Sequence, residues 1–538
     1  MPSNQQVFDY ESVTPPSQRS GGRRRGATHE DDLDAASVTG VNTRARAPEG
    51  GATGFEGAEA NQFAAAPVEI PPTGSKSSDK KSPFHLRRGH VLTYVGLFIF
   101  TVFLYIRPYE FIPVLEPLSQ FAFPIGLCTL LVFFPSQFAL EGTFTARPRE
   151  VNLVLLLALL GLLSIPLAVN PAEAWASFTD VFVKAVLMFV VIVNVARTER
   201  RLKQLIVIAI VAGCILSLGA LNDYRIGNFT VEGYRVKGSL RGWMDNPNDM
   251  AIHFVMMVPV AVALLLATRN PLKKLLYAGS AVLMMAGTVV TFSRGAFLGL
   301  TFAGATFAFK LARRNRLVAV VLMSVAFVAF LVLAPSNYSD RLISIIDHSR
   351  DPNGSAGTRQ AVLISSVIVA LRHPLLGVGM GNFHTFSIRE LVSHNAYTQV
   401  ASEMGVAALV IYLMFIWTPL GRLRQVERET FEGRRTSRLY YLAVGLQAAL
   451  VAYMVSSFFA SVAYLWFIYY FVGFSVCLRR LYESEVGREI LTAREARKRE
   501  RKQRTTGTTT DATTDTTSDT RGERSLVPPE SEAHALTR

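Results

Sequence analysis

Apolar and polar positions fall in long blocks along this chain, without the two-residue alternation of a half-buried strand. Twelve apolar runs stand out: 91–106, 118–138, 151–169, 176–196, 204–221, 249–267, 275–291, 295–309, 317–334, 396–418, 439–457 and 461–478. Their lengths cluster near the roughly 20 residues that an α-helix needs to cross a hydrocarbon core. Irregular backbone cannot face lipid, and runs this long and uniform do not fit barrel strands, so the pattern predicts helices. The expected fold class is all-α: a polytopic membrane helix bundle of about twelve transmembrane helices, with a large outer loop between helices 9 and 10.

The connections set the expected orientation. Counted from an inner N-terminus, the inner loops hold Arg147 and Arg149; Arg197, Arg200, Arg201 and Lys203; Arg269, Lys273 and Lys274; Lys310, Arg313, Arg314 and Arg316; and a set from Arg422 to Arg438. The short outer loops at 170–175 and 458–460 hold no Lys or Arg. This asymmetry predicts both termini in the cytoplasm. Two long loops, about 222–248 and 335–395, then fall outside.

Composition agrees with a membrane chain. Half of the 538 residues are hydrophobic and only 18% are charged; mean hydropathy is +0.28 and the pI about 9.8. A net charge of +14 would suggest nucleic acid in a soluble protein. Here the loop pattern accounts for it, and no nucleic-acid partner is expected. Cys128, Cys214 and Cys477 lie inside apolar runs, with neither a disulfide framework nor zinc spacing. No cleavable signal peptide is read at the N-terminus. Residues 1–88 are polar and rich in Gly, Ser, Ala and Pro, an expected disordered cytoplasmic tail. Residues 89–480 form the expected transmembrane domain, and 481–538 a basic, then Thr-rich, cytoplasmic tail.

Chemical variety concentrates between Gly357 and Gly405. The apolar part, Ala361 to Leu371, is too short to span a bilayer and predicts a helix buried in the protein or lying at its surface. Arg359 heads it, and Arg372 ends it, where a cation suits a helix C-terminus. His394 precedes the tenth run and could act as base or hydrogen-bond donor near neutral pH. Tyr397 and Thr398 share its helical face; Glu403, nine positions on, is turned nearly opposite and is not paired with it. Arg294, in Thr291–Gly295, is either a snorkelling anchor or an anion site, since a guanidinium grips phosphate bidentately. Arg225, Arg235, Lys237 and Arg241 make the first long loop basic. The stretch Gly377–Gly381 lacks the strand and the Lys-Ser/Thr of a nucleotide loop. Asp245–Asp249 reads as a turn and cap, with Asn248 capping the sixth run, rather than as a metal site.

Four passages carry a family resemblance: GWMDNPNDMA, TFSRGAF, TRQAVLISSVIVALRHPLLGVGMGNF and SHNAYTQVASEMG. With their order and the large loop before the tenth run, the chain resembles the O-antigen ligase and polysaccharide polymerase superfamily of integral membrane proteins. The resemblance implies a metal-independent membrane glycosyltransferase, without a cofactor, at the outer face of the bacterial inner membrane. Its donor would be an undecaprenyl-diphosphate-linked glycan. Its acceptor would be lipid A-core in a ligase or a second lipid-linked glycan in a polymerase, with membrane lipid around both. Arg294 and Arg359 would hold the diphosphate and stabilise the leaving group, and His394 would orient or deprotonate the acceptor hydroxyl. Arg241, Arg372, Asn395 and Tyr397 are the expected substrate-binding residues. Two alternatives stand beside this. Lys184, expected near the bilayer midplane, keeps open a small-solute transporter. A metal-dependent transfer of glycan to protein ranks lower, because the first outer loop offers only Glu110 and Glu116, with no Asp-x-Asp.

Overall fold

The computed structural model describes residues 89–229, 235–236, 246–311, 317, 355–432, 438–486 and 489, all within the compact unit Ser82–Arg538. Among them there is no β-strand, and nine helical stretches are long and apolar enough to cross a membrane. In chain order the helices are α1 (Val91–Tyr105), α2 (Ala122–Glu141), α3 (Arg149–Ser164), α4 (Pro171–Val195), α5 (Glu199–Ile226), α6 (Pro247–Ala267) and α7 (Pro271–Val290). They continue as α8 (Arg294–Leu311), α9 (Ser355–Arg372), α10 (Ala396–Met404), α11 (Val406–Glu429) and α12 (Arg438–Ser456), with a final α13 over 466–486. The ninth expected run, 317–334, lies outside the described residues apart from Leu317, as do the tail 1–88, Arg241 and most of 481–538. The last helix continues through 486, past the expected boundary at 480.

A repeated local signal starts three of these helices. Asn170, Asn246 and Asn270 each precede a proline at the first helical position, and each side-chain oxygen accepts an amide of the first turn, from Glu173, Asn248 and Lys273. The cap of α6 is therefore Asn246, two residues before the expected Asn248. Asn248 instead accepts a hydrogen bond from Arg235.

Helices α6 and α12 form the centre, with 78% and 72% of their most apolar windows buried, against 17% for the stretch containing α2. Alanines let α6, α8 and α12 meet closely: Ala251, Ala296, Ala303, Ala448 and Ala452 make one buried cluster. Helix α8 runs antiparallel beside α12 along its length. Ser456 Oγ at the end of α12 donates to Gly295 O (3.1 Å), and Tyr440 OH near its start reaches Lys310 O (3.5 Å). The expected basic loops share one end of the bundle. There Arg197 pairs with Glu141 (2.7 Å), Arg479 with Glu150 (3.2 Å), Arg438 with Glu199 (3.8 Å), and Lys310 with buried Glu427. Lys184 bonds Asp180 one turn earlier (3.4 Å), where α4 widens into a π-helical turn, Phe178–Phe182.

One expected run is divided. The pattern predicts a single span over 396–418, but α10 stops at Met404 and α11 begins afresh at Val406. Gly405 between them has φ 91° and ψ 170°, a conformation essentially confined to glycine. Apolar content cannot reveal such a break, because both halves remain apolar. Gly377 (φ 65°) is pressed onto the same break: a Cβ there would lie 2.5 Å from Glu403 O and Met404 N, and one on Gly405 would lie 2.8 Å from Pro374 O. Alanine at Gly405 or Gly377 should therefore lower stability by roughly 2–5 kcal/mol, from backbone strain plus overlap. Gly421→Ala, inside α11 with nothing near its Cβ, should be neutral or stabilising by about 0.5–1 kcal/mol. Unfolding of the purified protein in detergent checks the contrast, and equal effects at the three sites would refute it.

Candidate active site at the end of the bundle opposite the basic loops

The turn Thr291–Arg294 builds the first wall. Phe292 is buried and left-handed (φ 50°), a rare state for a bulky residue, and its amide bonds Val289 O (3.0 Å). That reversal lets Ser293 cap α8: its Oγ accepts from Ala296 N (3.4 Å) and its carbonyl from Phe297 N (3.0 Å). Arg294 becomes the first residue of α8, half-buried. A cation beside the positive end of a helix gains nothing from the helix dipole; together they make a strongly positive spot suited to an anion. Buried Arg235 reinforces the turn. Its Nε donates to Thr291 O (2.9 Å) and its Nη2 to Asn248 Oδ1 (2.8 Å), tying the first long loop to the starts of α6 and α8.

The connection from α12 to α13 links this wall to the histidine. Ser456, at one end, holds Gly295. Ser461, near the other, accepts the backbone N–H of His394 (2.8 Å) and bonds Ser393 Oγ (3.1 Å). His394 is also left-handed (φ 51°), so the serine fixes a conformation the chain would otherwise avoid. Asn395 then caps α10, its Oδ1 accepting from Tyr397 N (2.9 Å) and Thr398 N (3.2 Å). Tyr397 OH donates to Met454 O (2.7 Å) and accepts from Ser457 Oγ (3.2 Å). Asn395 and Tyr397 thus have architectural tasks of their own beside His394.

Arg359, on α9, lies close enough to His394 to act on its charge. Burial, and then the Arg359 guanidinium, hold the imidazole down at about 4, so it is neutral at pH 7. Arg372 is exposed at the end of α9. The structure therefore joins Arg294 and His394 through one connection and sets Arg359 beside His394, while Arg372 stands apart at the far end of its helix.

The stretch 377–381 is a main-chain clamp. Val378 N donates to Ser402 O (2.9 Å), Gly379 N to Glu403 O (2.9 Å), and Val169 N to Val378 O (3.0 Å). Glu403 is buried; Tyr464 OH donates to its Oε2 (2.9 Å), and the amides of Gly381 and Phe383 also bond it. Burial pushes this carboxyl up to about 7, although those hydrogen bonds favour its charged form. Its bonds go to Tyr464, Gly381 and Phe383 and not to His394, in keeping with the expectation that the two do not pair.

Residues 279–413 match the family model described as O-Antigen ligase. This stretch, about a quarter of the chain, is similar to the O-antigen ligase family. No match is found among curated proteins. The matched O-antigen ligase segment runs from α7 into α11 and contains Arg294, Arg359, Arg372, His394, Asn395, Tyr397 and Glu403. Arg235, Ser457, Ser461 and Tyr464 lie outside it, yet they hold residues of the candidate site. Sequence reasoning noted Arg235 only as loop charge and passed over the serines, because hydroxyl contacts between distant segments leave no local pattern.

The two shifted groups impose opposite pH slopes. Glu403 binds its proton more tightly folded than at its ordinary 4.5, so its stabilisation is full below that value and is lost as pH rises through about 7. His394 binds its proton less tightly folded than at its ordinary 6.5, so its contribution is lost as pH falls toward 4. The unfolding free energy of the native protein minus that of Glu403→Gln should decline between about pH 5 and pH 8. A difference that stays flat or climbs would be the wrong result.

Proposed function

We propose that this enzyme transfers or polymerises a glycan carried on undecaprenyl diphosphate at the outer face of a bacterial inner membrane, with both termini cytoplasmic. The observation that carries this reading is the assembly of Arg294, Arg359 and His394 at the end of the bundle opposite the basic loops. The O-antigen ligase match supports the glycan-transferring class.

In this reading the donor diphosphate lies against Arg294, the start of α8 and Arg359. The acceptor hydroxyl approaches His394, which is neutral and able to accept a proton. The hydroxyl oxygen attacks the anomeric carbon, and the bond from that carbon to phosphate oxygen breaks. Undecaprenyl diphosphate leaves with the electron pair, and the hydroxyl proton passes to His394. The arginines offset charge that grows on the leaving oxygen, so they favour the transition state over the bound donor. No metal is assigned a part. Arg241 and Arg372 are proposed to bind the glycan away from the reacting centre, and Asn395 and Tyr397 to serve substrate binding indirectly, by holding the histidine's helix. The acceptor is lipid A-core for a ligase or another lipid-linked glycan for a polymerase.

Alanine at Arg294, Arg359 or His394 should each reduce glycan transfer by roughly 100-fold or more while the protein stays in the membrane. A deletion strain complemented by each variant, with surface polysaccharide and membrane protein measured together, checks this. Full-length chains stranded on undecaprenyl diphosphate identify a ligase; single repeats on the acceptor identify a polymerase. Unimpaired transfer by all three variants would sink the proposal.

A further inference from the structure

Glu403 is a buried acid that the transfer mechanism does not use. It nevertheless sits where three segments meet. The first is α10, which begins just after His394 and on which Glu403 lies. The second is the stretch that follows α9, reached through the amides of Gly381 and Phe383; α9 carries Arg359. The third is the connection before α13, reached through Tyr464 OH at 2.9 Å, three residues after the Ser461 that accepts the His394 amide.

We infer that Glu403 is a positioning residue: its carboxyl locks the glycine turn and the Tyr464 connection onto α10 and so sets the distance between Arg359 and His394. Hydrophobic contact alone could hold these segments together, but it is non-directional. A carboxyl taking bonds from two amides and a phenol fixes their register, and cutting any one strands a buried polar group. The main-chain bonds from Val378 and Gly379 to the carbonyls of Ser402 and Glu403 set the same register from the other side. The charged and titratable groups bearing on Glu403 are Tyr464 from the connection and Glu173 from α4. Glu173 itself faces His384 (3.6 Å) in the turn after Gly381.

The inference rests on the proposed transfer reading only for its effect on turnover; the geometry it claims has a readout without substrate. His394 is held neutral partly by Arg359, so moving the two apart must make it easier to protonate. Histidine acylation by diethyl pyrocarbonate, which modifies neutral imidazole, can be followed at His394 by peptide mass spectrometry over about pH 5–7.5. The native protein should react at a nearly constant rate across this range. In Glu403→Leu, where burial still acts but Arg359 has moved away, the fall in rate should begin at a higher pH than in the native protein, and turnover should fall roughly 100-fold with the donor KM little changed. Glu403→Gln, which can still accept from Tyr464 and an amide, should largely restore both. Tyr464→Phe removes one bond only and serves where Glu403→Leu fails to fold. A His394 profile identical to native in folded Glu403→Leu, or in Tyr464→Phe where the leucine variant does not fold, overturns the inference, whatever happens to stability. A shifted profile in a protein whose native form transfers no glycan upholds the positioning and sinks the transfer reading.

Discussion

Three backbone hydrogen bonds join the glycine turn to the break after α10: Val378 N to Ser402 O, Gly379 N to Glu403 O, and Val406 N to Pro374 O at 2.8 Å. A helix interrupted near a membrane leaves amides and carbonyls that water cannot readily satisfy, each costing several kcal/mol if unpaired. The turn supplies the missing partners. It can approach so closely only because Gly377 and Gly405 present no Cβ to the facing backbone. Once this joint is closed, α9 and α10 have a fixed relation, and the residues at their starts, Arg359 and His394, are brought toward each other.

Strain follows the same logic. Two candidate site segments contain bulky left-handed residues, Phe292 and His394. Each such residue costs of order 1–3 kcal/mol and persists only when its surroundings dictate it. Phe292 is dictated by its burial and by Arg235, which grips the adjacent Thr291 carbonyl. His394 is dictated by Ser461. Both anchors come from segments remote in sequence, so the site is built by the completed bundle and not by its local peptides.

That explains what could and could not be read from the chain. Apolar runs reveal spans because burial in lipid demands length and composition, and eleven of the twelve expected runs coincide wholly or largely with described helices. The starts of α4, α6 and α7 were legible in principle as Asn-Pro pairs. The break at Gly405 was not, since it changes backbone direction without changing hydropathy. Arg294, Arg359 and His394 drew attention as polar residues beside apolar runs, and the structure connects them. The hub at Glu403 escaped because helical spacing compares residues on one helix, whereas its partners, Gly381, Phe383 and Tyr464, lie on two other segments.

The electrostatics of the pair Arg359 and His394 carry the argument one step further. A histidine held near 4 by burial and a neighbouring cation is a weak base, poorly matched to deprotonating a hydroxyl at pH 7. Under the proposed function, the donor itself changes that balance. A diphosphate against Arg359 would offset the charge that repels a proton from His394, and its own negative charge would raise the imidazole's affinity further. The histidine would then become an effective base when the donor is bound and stay a poor one when it is not. Such coupling needs no moving lid. It needs the arginine and histidine held at a fixed short separation, which is the condition that the joint between residues 374–379 and 402–406 imposes on the helices that carry them.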